Sequence, residues 1–207
     1  MKKIFFAAMT TAMIASGVMA QGDASAGQSK AVACGACHGA DGNSAAPSFP
    51  KLAGQGEKYL IKQMNDIDSG MRNVLSMAGQ LDNMSDQDIA DIAAYYAAQT
   101  GTVGFVKADL AGLGERIYRA GNMEIGIAAC SGCHSPTGAG NAPAGFPKLG
   151  GQHADYIEAQ LKAFRTGAEE PEKGRANDGE SRIMRDIVGR MSDLEIRAVA
   201  SYIQGLH

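Results

Sequence analysis

The sequence predicts an all-α chain made of two copies of one domain behind a cleaved signal peptide. Three observations predict it: an internal repeat, helical periodicity inside each copy, and a scarcity of alternating strand patterns. The repeat runs through four blocks in the same order. Cys34-Gly35-Ala36-Cys37-His38 recurs as Cys130-Ser131-Gly132-Cys133-His134. Phe49-Pro50-Lys51-Leu52-Ala53-Gly54-Gln55 recurs as Phe146-Pro147-Lys148-Leu149-Gly150-Gly151-Gln152. Tyr59 and Gln63 then match Tyr156 and Gln160. Met77 and Met84-Ser85-Asp86 match Met184 and Met191-Ser192-Asp193. The second copy is longer, with added residues before Cys130 and before Met184.

The leader comes first in chain order. Met1-Lys2-Lys3 is a short positive start, residues 4–18 are apolar and uncharged, and Val18-Met19-Ala20 offers compact residues at a cleavage site. This is the pattern of a secretory signal peptide cut after Ala20. The apolar run falls short of the roughly 20 residues that span a bilayer. Domain one is expected over 21–104 and domain two over 105–207, joined by the Gly- and Thr-rich stretch 99–106. In copy one, residues 57–68 read as a helix with Leu60, Ile61, Met64 and Ile67 apolar; 155–165 is its partner. Ser85 is an N-cap with Asp88 at the capping-box position, and Ser192 with Glu195 repeats the arrangement. Behind these caps Ile89, Ile92 and Tyr96 share one helix face, as do Ile196, Val199 and Ile203. The first of these helices should end near Gly101. Three or four helices are expected per copy.

Composition excludes other classes. The hydrophobic fraction of 45% is too high for a disordered chain. With 19 Lys+Arg against 22 Asp+Glu the net charge is −3, which argues against nucleic acid as a partner. After cleavage, domain one is the more acidic of the two. The charged run from Glu169 to Arg175 reads as an exposed loop, and no role is assigned to it.

All four cysteines sit in C-x-x-C-H, the motif of covalent c-type haem attachment. Two thiols add to the haem vinyl groups and the adjacent histidine binds iron. A disulfide would not explain the histidine after each pair. A thioredoxin-like pair needs a β-α-β context, and a zinc site needs ligand pairs within reach of each other. Cys34, Cys37, Cys130 and Cys133 are therefore the expected covalent attachment points of two haem c groups, with His38 and His134 on iron. The sixth ligand then decides between electron transfer and catalysis. His153 matches Gly56 in copy one and reads as a surface histidine near a helix start. Met64 aligns with Leu161, so it has no equivalent. Two methionine pairs survive the duplication. Met84 and Met191 precede N-cap serines, the position of a hydrophobic staple, so packing accounts for them. Met77 and Met184 lie in less regular, Gly-punctuated sequence and are the favoured iron ligands.

These motifs resemble a known family. Both halves look like class I cytochrome c domains, and their tandem arrangement is similar to diheme cytochrome c4, over residues 23–207. The resemblance implies axial pairs His38–Met77 and His134–Met184. It also implies that the carbonyls of Pro50 and Pro147 accept the ligand imidazole N–H. Gly114-x-x-x-Tyr118 fits the family's contact between first and last helices. Gly27-x-x-x-Ala31 lacks the aromatic, which predicts looser packing there. With both faces of each iron filled, the expected function is electron transfer in a respiratory chain, without catalytic residues. By resemblance, electrons would pass from a bc-type quinol-oxidising complex toward a terminal oxidase or reductase. The expected setting is the periplasm, as a monomer, soluble or loosely attached to the inner membrane. Two other readings share the motifs: a diheme peroxidase, which needs one openable haem, and the haem subunit of a flavocytochrome sulfide dehydrogenase.

Overall fold

The computed structural model describes residues 21–207; the expected signal peptide, 1–20, lies outside them. Among the described residues there is no strand, only isolated bridges joining Asn122 to Ile127 and Asn141 to Phe146. Copy one holds α1 (Ala24–Lys30), α2 (Gly35–His38), α3 (Glu57–Asp68), a 3-10 turn (Leu75–Met77) and α4 (Asp86–Ala97). Copy two holds α5 (Ala108–Ala120), α6 (Ser131–His134), α7 (Ala154–Glu169), α8 (Ile183–Val188) and α9 (Asp193–Gln204). Copy two thus holds five helices, more than expected, and α8 gives Met184 a helical setting instead of an irregular one.

Both capping boxes form. Ser85 Oγ accepts the Asp88 backbone N–H and the Asp88 carboxylate reaches back to the Ser85 N–H. Ser192 and Glu195 do the same. The stripes behind them are buried as expected: Ile89, Ile92 and Tyr96 on α4, and Ile196, Val199 and Ile203 on α9. Helix α3 has the expected bounds, whereas α4 stops at Ala97, short of Gly101.

Each copy closes by crossing its first helix on its last, α1 on α4 and α5 on α9. Glycine makes the crossings possible. A Cβ on Gly27 would lie 1.9 Å from the Asp91 carbonyl oxygen, and one on Gly114 2.3 Å from that of Ala198. The looser contact predicted for copy one is thus not found. The missing aromatic comes from the opposite helix: copy one buries Ala31 on the α1 side and Tyr96 from α4, where copy two buries Tyr118 from α5 and Ile203 from α9. Copy one adds charge. Lys30 Nζ sits 2.6 Å from both Asp88 and Asp91, where copy two packs the buried Ile117.

The copies face each other through reciprocal bonds. Gln152 accepts the Lys51 N–H and donates to the Lys51 carbonyl, both at 2.9 Å. Gln55 accepts the Lys148 N–H at 2.8 Å and donates to the Lys148 carbonyl at 3.0 Å. The repeated F-P-K-L-x-G-Q block therefore makes each copy complete the hydrogen bonding of the other.

Candidate haem sites

Each C-x-x-C-H motif forms a single helical turn, α2 or α6, that ends on its histidine. The chain then turns sharply, with positive φ at Gly39 (80°) and Ser135 (68°). Serine in this region is strained, and local bonds hold it there. Tyr118 Oη donates to the Ser135 carbonyl at 2.7 Å, and Ser135 Oγ accepts the Ala139 N–H at 2.8 Å. The turn buries both imidazoles. Their Nδ1–H groups donate to the Pro50 and Pro147 carbonyls, each at 2.9 Å, as the resemblance implied. Because a carbonyl only accepts, the proton sits on Nδ1 and the Nε2 lone pair is free to bind a metal. Burial lowers both imidazole pKa values below the ordinary histidine value, against the opposing effect of the proline carbonyls, and so favours the neutral ligand form.

One cavity of about 1260 Å³ serves both motifs. Cys34, Cys37, His38 and Met77 line it from copy one; Cys130, Cys133, His134 and Met184 line it from copy two. Ordinary ligand pockets run to about 1,000 Å³, so the space exceeds that of one ligand. No disulfide joins any of the four cysteines among the described residues. Burial raises the Cys34 pKa and pushes Cys130 up to about 11. Cysteine and histidine converging on one cavity with their reactive atoms unengaged fit two thioether-bound haems.

The remaining methionines divide. Met84 packs against the Leu60, Ile92 and Tyr96 core of copy one and does not line the cavity. Met191 is buried with Ile196 in the other core and also lines the cavity. Met64 lines it too.

Two sequence expectations need correction. His153 is no surface residue: half-buried at the start of α7, it donates Nε2–H to the Ser44 carbonyl of the other copy at 2.9 Å. The run 169–175 is exposed only up to Lys173. Arg175 turns inward, stacks over Phe164 at 4.4 Å, and donates to Gln160 and Gln63 at 2.8 Å each. Arg72 of copy one mirrors it, donating to Tyr156 and Gln160 at 2.9 Å and to Gln63 at 3.0 Å. This cross-copy network lines the shared cavity. The only sequence signal for it was the repetition of Tyr59/Tyr156 and Gln63/Gln160.

Two helical domains that place C-x-x-C-H motifs against one cavity define a tandem c-type cytochrome. The cytochrome c family profile matches residues 24–98 and 113–207. Cytochrome c4 of Pseudomonas aeruginosa is 54% identical over 207 residues, covering all of both chains. Cytochrome c4 of Azotobacter vinelandii is 56% identical over 197 residues, 91% of each. The crystal structure of reduced cytochrome c4 from Pseudomonas stutzeri superposes with a TM-score of 0.85 at 54% identity, covering 90% of this chain and 100% of that one. The chain belongs to the cytochrome c family, in its cytochrome c4 branch. It is a diheme c-type electron carrier rather than an enzyme.

Proposed function

We propose that this carrier works in the periplasm, taking electrons from a bc-type quinol-oxidising complex and passing them to a terminal oxidase or another reductase. The carrying observation is the single cavity that both C-x-x-C-H motifs and the paired methionines Met77 and Met184 line. Two redox centres on one cavity let the chain hold two electrons or relay one between its ends. A haem held between His and Met supplies one-electron chemistry at a raised potential and leaves no open position for substrate.

The chain's residues divide the remaining work. Cys34 and Cys37, and Cys130 and Cys133, anchor the two haems. His38 with Met77, and His134 with Met184, would supply the two protein ligands to each iron. Pro50 and Pro147 fix the imidazole planes, so that oxidation and reduction require little rearrangement. The domains divide at 21–104 and 105–207. Export rests on the signal-peptide pattern of residues 1–20, and among the described residues no helix is long and apolar enough to cross a membrane.

Mixing the oxidised holoprotein with a purified bc-type complex and quinol tests the direction of flow. Both haems should be reduced much faster than by quinol alone, and inhibiting the complex should abolish the gain. Reduction no faster than by quinol alone would overturn the assignment.

A further inference from the structure

The two methionine segments are held differently. Residues 73–80 make no side-chain hydrogen bond among the described residues, and none of them is buried. Met77 closes a 3-10 turn beside Leu75, which is 84% exposed. The turn has only local backbone bonds, Met77 N to Val74 O (2.8 Å), Ala78 N to Leu75 O (3.2 Å) and Gln80 N to Met77 O (3.0 Å). Its anchors lie at the ends, Arg72 before it and the buried Leu81 after it.

Met184 sits in α8, and the next residue is a buried lock. Arg185 is 8% exposed; its Nε lies 2.7 Å from Asp178 Oδ1 and its Nη2 donates to the Gly179 carbonyl at 3.0 Å. The Arg185 backbone N–H donates to Asp178 Oδ2 at 3.0 Å, and Val188 closes the helix in the core. In the repeat, Arg185 corresponds to Ala78 and Asp178 to Met71, both exposed. Lifting Met184 away exposes a paired charge and its bonds, whereas lifting Met77 breaks only turn contacts. Local opening follows such differences in buried contact.

We propose that Arg185 and Asp178 are positioning residues that lock Met184 in place, so that Met77, which has no such lock, is the ligand displaced first when imidazole is used as a probe. The proposal rests on Met77 and Met184 being the axial ligands. The exchange breaks one iron–sulfur bond and forms one iron–nitrogen bond. The donor arrives with its lone pair free, so no proton is released and the iron keeps its oxidation state.

The test is an imidazole titration of the oxidised holoprotein, read on the long-wavelength methionine-to-ferric-iron absorption band. Half the band should vanish at an imidazole concentration about tenfold below that needed for the rest, as expected when one opening also loses charged hydrogen bonds. Met77→Ala should leave only the high-concentration step, and Met184→Ala only the low one. Asp178→Asn, which keeps the side-chain shape, should move the second step toward the first and leave the first in place. A halved band in each alanine variant with coincident steps in the parent overturns the proposal alone. So does a low-concentration step that belongs to Met184. A band untouched by either alanine substitution overturns the axial assignment, and the proposal with it.

Discussion

Each core buries one large phenol near its first cysteine, but from opposite helices: Tyr96 from α4 and Tyr118 from α5. Burial raises both hydroxyls well above the ordinary tyrosine range. Only Tyr118 finds an acceptor, the Ser135 carbonyl; among the described residues the Tyr96 hydroxyl has no partner. An unpaired buried hydroxyl costs stability, and a ring that keeps its shape leaves no cavity behind. Tyr96→Phe should therefore stabilise the protein by about 1 kcal/mol, and Tyr118→Phe should destabilise it by about as much. Chemical denaturation of the holoprotein measures both, and equal losses would contradict this reading. At this scale the proposed haem-anchoring residues stand out in the sequence because the C-x-x-C-H motif keeps its cysteines and histidine within five positions. The exchange of Ala31 and Tyr96 for Tyr118 and Ile203 does not, because each pair meets only when distant helices cross. Arg185 was equally silent, since a buried arginine is recognisable only once Asp178 faces it.

Caps and stripes explain why the helices were readable element by element. Ser85 with Asp88, and Ser192 with Glu195, satisfy backbone groups within one turn, so their sequence is sufficient to mark the helix start. The crossing of α1 on α4 also carries pH-dependent ion pairs, and among the described residues none joins α5 to α9. The Asp23 N–H, then Lys30 and Gln87, hold the Asp91 carboxyl down at about 2. Lys30 and Ser85 hold Asp88 well below the carboxylate range. A carboxyl lowered in the folded state stabilises fully above its unfolded value of about 4, and the contribution is lost as pH falls through the folded value. The α1–α4 crossing should thus weaken between about pH 4 and pH 2. At the α5–α9 crossing Ile117 and Ala198 stand where Lys30 and Asp91 do, so only Glu195, where against the opposing effect of burial Ser192 and Asn122 hold the carboxyl down, remains there among the described residues. Melting followed by circular dichroism should show the first copy unfolding earlier as pH drops. Asp91→Asn should lower the melting temperature at neutral pH and flatten the acid slope; an unchanged slope would contradict the assignment.

Across the whole molecule, the duplication was evident from sequence but the interface was not. Gln55 and Gln152 are recognisable as repeats, yet their partners Lys148 and Lys51 lie in the opposite copy. Arg175 sits in an insertion whose charged neighbours resemble a solvated loop, and Phe164, Gln160 and, from the other copy, Gln63 draw it inward. These contacts place both C-x-x-C-H motifs on one cavity, in keeping with a two-centre carrier. A spectroscopic redox titration of the purified holoprotein, with haem counted by the alkaline pyridine spectrum, tests that most directly. It should give two covalent haems per chain, each titrating as one electron, with the methionine-to-iron band present at full strength for both when oxidised. One haem per chain, or haem extractable by acid acetone, would contradict the account.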